Sequence, residues 1–315
     1  MAVENNFRPT SFDDFQGQEK AKKLLKIYIK AAQIKNECLD HILITAASGQ
    51  GKSTIAGIIA SEMGKELHVV SGPALKRNEQ VVDFLLSVQP RDVILLDEIH
   101  SIPKKLQETI FLAMEQFIVD ANDENGILTR ISIPKFTLIG ATTDVGELLE
   151  PMKNRFPINI ALRPYEEEHM ANIVMRGFNA INVNTSYECA LMIGKCGRGV
   201  PRKVNNYARR IYDYALVINE GKITPEIVKE AFDFMEINPY GLTASDVDYL
   251  EYLFKARKPV GIDNLALALG TKKNNLINDI EPYLMQEEYI IRTPKGRKIT
   301  EKGAMAIGKQ IFLDK

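Results

Sequence analysis

The sequence predicts an α/β fold in which a parallel sheet carries helices on both faces, followed by a small all-helical domain and a C-terminal winged helix. Three short apolar runs of strand type, HILIT, DVILLDE and FTLIGATT, alternate with helical patterns in the first half of the 315-residue chain. Strands that alternate with helices are typical of parallel sheets. We therefore expect residues 1–163 to form the α/β domain.

The strand signal fades after about Pro164, and four helix patterns follow one another. They are EEEHMANIVMRGFNAI, YECALMIGKCG, RKVNNYARRIYDYALVI and TPEIVKEAFDFM, and Gly221 is suited to a helix stop. This predicts an all-helical domain over residues 164–239. In residues 240–315, short helices precede two extended runs around Pro294 and Gly296, and that pattern predicts a winged helix.

The composition excludes some classes of protein. The 40 basic and 41 acidic residues nearly cancel, which argues against a uniformly basic nucleic-acid coat but leaves room for a local basic face. No stretch approaches the ~18 apolar residues of a membrane helix, and the N-terminus lacks the apolar core of a secretory signal. Cys38, Cys189 and Cys196 have no C-x-x-C spacing, so we expect free thiols in a cytoplasmic protein and no zinc site.

A glycine-rich loop, TAASGQGKST, stands between a predicted strand and a predicted helix at residues 45–54. Backbone N–H groups in such a loop, together with the N-terminus of the following helix, attract phosphate. Lys52 is placed to reach the β- and γ-phosphates of a nucleotide, and Ser53 to hold Mg²⁺.

Ala46 stands where such loops usually begin with glycine. Glycine is required only where φ is positive or where a Cβ atom clashes. We therefore expect alanine to fit if residue 46 simply ends the strand with a negative φ, and we expect the loop to bind nucleotide.

An acidic pair follows the second strand, in VILLDEIH. Asp97 is suited to ligate Mg²⁺, and Glu98 to orient and activate the attacking water. Acidic residues after a strand often only cap the next helix, but together with the loop they indicate ATP hydrolysis. The cofactors expected are ATP and Mg²⁺.

These residues resemble the AAA+ ATPases, and a closer resemblance runs from about Phe7 to Thr300. The segments that carry it are FRPTSFDDFQGQEK, LDHILI, SGPAL, DEIHSI, AMEQF, FTLIGATT, NRF, PRKVNN and EPYLMQEEYIIRTPKGR. In this order they are similar to the RuvB family, the motors of bacterial Holliday-junction branch migration. The resemblance implies an AAA+ ATPase domain, a helical lid over residues 164–239, and a ring oligomer, expected to be hexameric.

The resemblance also implies catalytic roles. Thr143 corresponds to the polar sensor that positions the attacking water, with Thr142 as a possible substitute. Arg155 corresponds to the arginine finger that reaches the γ-phosphate bound by the adjacent subunit; the sequence guarantees it no carboxylate partner in its own chain, although a surface salt bridge is the alternative. Arg202 corresponds to the second sensor, carried by the lid.

Further nucleotide contacts are implied by the same resemblance. Phe7 and Arg8 correspond to a segment over the base and phosphates, and Tyr165 to a nucleotide-contacting tyrosine, for which ordinary packing is the alternative. The resemblance adds Glu115, Gln116 and Phe117, whereas Gly49, Gly51 and Thr54 are expected contacts that belong to the glycine-rich loop itself.

The C-terminal tail is basic, with seven Lys/Arg against four Asp/Glu from Gln286 to Lys315. Arg292, Lys295, Arg297 and Lys298 crowd onto one predicted hairpin. Such a wing suits sequence-independent contacts with DNA phosphates, although a solvated turn is the alternative. By resemblance, Arg292 and Arg297 are contacts to duplex DNA or a four-way junction.

A second hairpin is predicted at residues 118–135, with its turn near Asn125-Gly126. In the RuvB family this hairpin is apolar and docks onto RuvA, the junction-binding partner. Here it is about three residues shorter, and its near side, DANDEN, is acidic. A RuvA-like partner and a purely solvent-exposed hairpin are both open.

Two other functions remain open at this point. One is a DNA-binding loader or an ATP-switched assembly factor with little hydrolysis, and Ala46 and the altered hairpin keep that alternative open. A clamp-loader or helicase-loader subunit would share the first two domains but would not need the winged helix. An ATP-binding transcription regulator would also use a winged helix, but it would normally carry side chains that read bases.

Overall fold

A computed structural model of the chain describes residues 8–122 and 128–310, and these residues fall into two units. The first unit runs to Asn182 and includes Gly199–Asn205. The second unit contains Val183–Arg198 and the residues from Asn206 onward. Within the described ranges, no helix is both long and apolar enough to cross a membrane.

Nine strands form three separate sheets in the described residues. They are β1 Ile42–Thr45, β2 Leu67–Ser71, β3 Val93–Asp97, β4 Ile118–Asn122, β5 Leu128–Ser132, β6 Thr137–Thr142, β7 Ile158–Ala161, β8 Ile290–Thr293 and β9 Gly296–Ile299. The central sheet of the first unit is wholly parallel, in the order β2-β3-β6-β1-β7. This confirms the predicted α/β class.

Two of the five strands in the central sheet, β2 and β7, were not assigned from the sequence. Both are edge strands, and each exposes residues that a central strand buries, because only one neighbour covers them. The central strands β3 and β6 are buried almost throughout and therefore read as continuous apolar runs.

The first unit contains six α-helices among the described residues. They are Glu19–Lys35, Lys52–Glu62, Asn78–Leu86, Lys104–Gln116, Glu150–Lys153 and Glu167–Ala180. Apolar side chains of Asn78–Leu86 and Lys104–Gln116 pack with β3 and β6 in one core that includes Ile94, Leu96 and Leu138. This packing fixes the sheet that carries the candidate site.

Parallel pairing aligns the carboxyl ends of three strands. Thr45 of β1 lies opposite Thr142 of β6, and Leu96 of β3 lies opposite Gly140 of the same strand. In open parallel sheets, ligands bind just outside these carboxyl ends. The glycine-rich loop and the acidic pair therefore leave the sheet at the same edge.

The hairpin predicted at residues 118–135 is present in its two strands. β4 and β5 pair antiparallel, with Ile118 opposite Ser132, and they form a sheet of their own. Asp120 accepts a hydrogen bond from Arg130 Nε at 2.9 Å across the strands. The turn predicted at Asn125-Gly126 lies outside the described residues.

The second unit contains helices and the β8–β9 hairpin. Helix Pro201–Ile218 begins in the first unit and continues into the second. The other helices are Tyr187–Cys196, Pro225–Phe234, Ala244–Ala256, Ile262–Ala268, Lys273–Asn275, the π-helical turn Leu276–Ile280, Glu281–Gln286 and Glu301–Ala306. The three cysteines are free thiols. Helices followed by a β-hairpin confirm the predicted winged helix.

Gly296 allows the hairpin to approach Val260 closely, in the segment between helices Ala244–Ala256 and Ile262–Ala268. It has φ 130°, and a Cβ atom there would stand 2.3 Å from the carbonyl oxygen of Val260. Val260 and Arg297 exchange two backbone hydrogen bonds, at 2.9 and 2.8 Å. No larger residue fits between them, so a glycine is required at the start of β9.

A fully buried carboxylate, Glu281, joins the hairpin to the helices of the winged helix. It accepts hydrogen bonds from Arg297 Nε at 2.7 Å, Arg292 Nη2 at 2.6 Å and the Tyr249 hydroxyl at 2.8 Å. Burial raises the pKa of the carboxyl, but the three donors outweigh it, and the net pKa of Glu281 is below its usual value. The charged form is therefore the stable one in the fold.

We predict that acid weakens the winged helix through Glu281. A carboxyl whose folded pKa is depressed stabilises the fold above its unfolded pKa, and this contribution fades as pH falls below about 4.3. Hydrogen exchange of the Ile290 and Ile299 amides should therefore accelerate between pH 5 and 3 relative to the intrinsic rate. Glu281→Gln should cost about 3 kcal/mol at pH 7 and flatten this acid response; equal acid responses in the two proteins would contradict the assignment.

Candidate functional site

The loop between β1 and helix Lys52–Glu62 has the backbone geometry that a phosphate-binding loop needs. Gly49 has φ 80° and Gly51 has φ 101°, a region that favours glycine. A Cβ atom on Gly49 would lie 2.9 Å from both Val200 Cγ1 and Arg202 Cβ. Glycine is therefore needed at position 49 for two independent reasons.

Ala46 ends the first strand without strain. It is buried, it is not among the described residues with positive φ, and its N–H donates to the Thr142 carbonyl at 3.1 Å. This bond continues the pairing of β1 with β6 by one residue. The expectation that alanine fits here is confirmed, because position 46 does not use the conformations that only glycine reaches.

Lys52 is held inside the loop. Its ammonium donates to the carbonyl oxygens of Ala46 at 2.8 Å and Ala47 at 3.2 Å. The pKa of Lys52 is lowered overall, mainly by burial, although the nearby Asp97 carboxylate raises it. The ammonium group therefore lies against the backbone of the glycine-rich loop, where it can attract an anion.

Ser53 and Asp97 meet at the carboxyl ends of the strands. The Ser53 hydroxyl donates to Asp97 Oδ2 at 3.4 Å, although 44 residues separate the two in the sequence. A hydroxyl and a carboxylate oxygen are the hard oxygen ligands that Mg²⁺ prefers, and Mg²⁺ usually takes only one or two protein groups besides phosphate and water. The donor set therefore fits the predicted metal ion.

Glu98 leaves the sheet immediately after Asp97. Its φ is 53°, its side chain is exposed, and its N–H donates to Asp97 Oδ1 at 3.1 Å. The carbonyl oxygen of Glu98 packs directly against Gly72. A Cβ atom at position 72 would stand 2.4 Å from that oxygen. Glycine is therefore required at position 72, within the SGPAL segment, and no pattern in the sequence indicated this.

Thr142 and Thr143 occupy different environments at the end of β6. Thr142 is fully buried, and its hydroxyl lies 3.0 Å from His100 Nδ1 and donates to the Asp144 carbonyl at 2.9 Å. Thr143 is exposed at the same edge as Glu98. Thr142 thus holds the turn together, whereas Thr143 is free to face a ligand; no sequence signal pointed to the His100 contact.

Arg202 and Tyr165 both contact the glycine-rich loop, so their predicted contacts with a nucleotide stay predictions. Arg202 donates from its backbone N–H to the Gly49 carbonyl at 3.2 Å and from Nη1 to the Ser48 hydroxyl at 3.2 Å. Tyr165 is buried, and its hydroxyl donates to the Gln50 carbonyl at 3.2 Å. Burial raises the pKa of Tyr165, so the phenol stays a donor.

Arg155 makes its contacts with helix Lys104–Gln116. Its Nη2 lies 2.5 Å from Glu115 Oε1, and its guanidinium carbon lies 5.2 Å from the centre of the Phe111 ring. None of its described hydrogen bonds or ion pairs is with the glycine-rich loop. The structure thus supplies the carboxylate partner that the sequence could not guarantee.

The other predicted nucleotide residues are dispersed. Gln116 is exposed, and Phe117 packs against His41 and Phe136 with ring centroids 6.4 and 5.9 Å away. Thr54 is half-buried in the first turn of its helix, and Arg8 is exposed. Phe7 lies outside the described residues.

The basic hairpin presents its four cations unequally. Lys295 and Lys298 are exposed, and the Arg292 side chain is 48% exposed, but that of Arg297 is only 15% exposed. Both arginines are ion-paired with Glu281. The two lysines and the outer part of Arg292 are therefore the groups most accessible to a DNA backbone.

Three family models match successive parts of the chain. Residues 7–162 match the P-loop domain of the Holliday junction DNA helicase RuvB, residues 165–238 the RuvB AAA lid domain, and residues 239–308 the RuvB C-terminal winged helix domain.

Solved structures of Thermotoga maritima RuvB are similar over almost their whole length. One, described as a Holliday junction branch migration motor, is 34% identical with a TM-score of 0.83, and it covers 97% of this chain and 99% of its own. A lysine-to-arginine mutant of the same protein is 35% identical with a TM-score of 0.84 and the same coverage. The chain therefore belongs to the RuvB family of Holliday-junction branch-migration ATPases.

Proposed function

We propose that the chain is an ATP-driven DNA translocase that moves Holliday junctions as a ring, expected to be hexameric, with ATP bound between subunits. One observation carries this proposal. Lys52, Ser53, Asp97 and Arg202 gather around the glycine-rich loop, whereas the described polar contacts of Arg155 lie elsewhere. Arg155 of one subunit and the glycine-rich loop of the next would together form a complete site, which a single chain does not.

Each group has a task in hydrolysis that its position suits. Lys52 and Arg202 would neutralise phosphate charge, and Ser53 with Asp97 would hold Mg²⁺, which would supply further positive charge to the phosphates. Glu98, exposed just beyond Asp97, takes a proton from the attacking water, and the Thr143 hydroxyl orients that water. Arg155 of a neighbouring subunit stabilises the negative charge that develops in the transition state.

The winged helix supplies the contact with duplex DNA. Exposed Lys295 and Lys298, with Arg292 beside them, suit phosphate contacts that carry no sequence information. Arg297 belongs to the same surface, but its ion pair with buried Glu281 also shapes the hairpin. Binding of this kind fits a motor that travels over any sequence.

The β4–β5 hairpin is the candidate docking site for a protein partner. It forms a two-stranded sheet separate from the central one, and we propose that a RuvA-like junction-binding protein binds there. We place the protein in the cytoplasm, in keeping with its free thiols.

We predict Mg²⁺-dependent ATP hydrolysis that duplex DNA stimulates. Lys52→Ala should lower the rate about 100-fold or more, because it removes a preorganised charge from the phosphates. Steady-state phosphate release with and without DNA measures this. A wild-type rate no higher than that of the Lys52→Ala protein, at matched ATP and Mg²⁺, would favour an ATP-switched loader or assembly factor.

We predict that Lys295→Ala with Lys298→Ala weakens DNA binding equally for unrelated duplex sequences. Each lost phosphate contact should reduce the slope of log K against log salt by about 1. Fluorescence anisotropy at several salt concentrations measures both effects. Lys309→Ala, which removes an exposed cation outside the hairpin, is the matched control; a loss confined to one sequence would point to a regulator that reads bases.

A further inference from the structure

The proposed finger, Arg155, is held by two groups of its own chain. Glu115 pairs with Nη2 at 2.5 Å, and the guanidinium lies over the Phe111 ring. Phe111 and Glu115 are four residues apart on helix Lys104–Gln116, so they share one face of that helix. Together they fix both the plane and the direction of the guanidinium.

This arrangement contributes little to the stability of the fold. The side chains of Arg155 and Glu115 are 37% and 35% exposed, and ion pairs of that exposure are screened by water and salt. The pair also does not satisfy Arg155 completely, because the buried Nε donor has no hydrogen-bond partner among the described residues. Because the ion pair involves Nη2, the arrangement orients the guanidinium and leaves the N–H groups of Nη1 for a ligand.

We propose that Glu115 is a positioning residue for Arg155, which it holds ready for the ATP of the neighbouring subunit. This inference rests on the proposed function. An arginine has five donors, so Arg155 can keep its bond to Glu115 while other N–H groups reach a phosphate. A charged group that is already oriented needs no reorganisation when the transition state forms.

The inference places Glu115 on the finger side of the shared site. The resemblance to the RuvB family gave Glu115 only as part of a nucleotide pocket, without saying which subunit's nucleotide it serves. If Glu115 acts through Arg155, its loss damages hydrolysis in the next subunit and leaves its own chain's ATP site intact. Mixing experiments separate these two possibilities.

The test mixes full-length variants in pairs and measures DNA-stimulated ATP hydrolysis. Glu115→Ala alone should lower kcat by about 100-fold, as small misplacements of a catalytic group do, with unchanged affinity for ATP. Mixed with Glu98→Gln, whose finger is intact, it should recover up to about a quarter of the wild-type rate, the fraction of correctly ordered interfaces after random ring assembly.

Mixing with Arg155→Ala gives the decisive result. Two defects on the finger side cannot compensate each other, so Glu115→Ala mixed with Arg155→Ala should stay as slow as either alone. Recovery in this mixture would place Glu115 on the nucleotide side and overturn the proposal. Glu115→Gln, which keeps the shape and an acceptor, should restore part of the rate of Glu115→Ala.

Two controls keep the outcomes distinct. Glu108→Ala removes another exposed carboxylate from the same helix, and it should hydrolyse ATP at the wild-type rate. Arg155→Ala mixed with Glu98→Gln tests the shared site itself: no recovery there refutes the proposed function. Recovery there without recovery of Glu115→Ala by Glu98→Gln refutes only the role of Glu115.

Discussion

The parallel pairing of β1, β3 and β6 is the constraint on which the rest of the structure depends. Because it aligns their carboxyl ends, Ser53 and Asp97 lie within 3.4 Å although they belong to distant segments. The same register brings the Thr142 hydroxyl to His100, two residues beyond Glu98. A shift of one strand by one residue would separate Ser53 from Asp97 and turn the acidic pair away from the loop.

Charge is treated differently in the two units. Near the glycine-rich loop, the Lys52 ammonium is buried against backbone carbonyl oxygens, and Asp97 is the nearby carboxylate that most favours its charged form. A buried cation of this kind attracts an anionic ligand. In the winged helix, buried Glu281 already has two arginine partners and a tyrosine. The first arrangement favours a ligand, whereas the second fixes the shape of a hairpin whose outer cations remain exposed.

The sequence predicted the fold class and the backbone geometry of the glycine-rich loop, because those depend on local patterns. The glycines, Lys52 and Asp97 follow directly from strand–loop–helix order, and even the fit of Ala46 could be argued from the backbone conformation. The contacts of Arg155 with Glu115, of Thr142 with His100 and of the wing arginines with Glu281 could not. Each of these contacts joins segments that are distant in the sequence and meet only in the folded chain. The edge strands β2 and β7 were not predicted because they are too exposed to resemble buried strands.

Junction movement is the measurement that tests the central claim most directly. A synthetic four-way junction with one labelled strand is incubated with the chain, ATP and Mg²⁺, with and without a RuvA protein, and the separated duplexes are quantified. We expect ATP-dependent separation of the junction with the unmodified chain and none with the Lys52→Ala protein. DNA-stimulated hydrolysis without any separation of the junction, under both conditions, would contradict it.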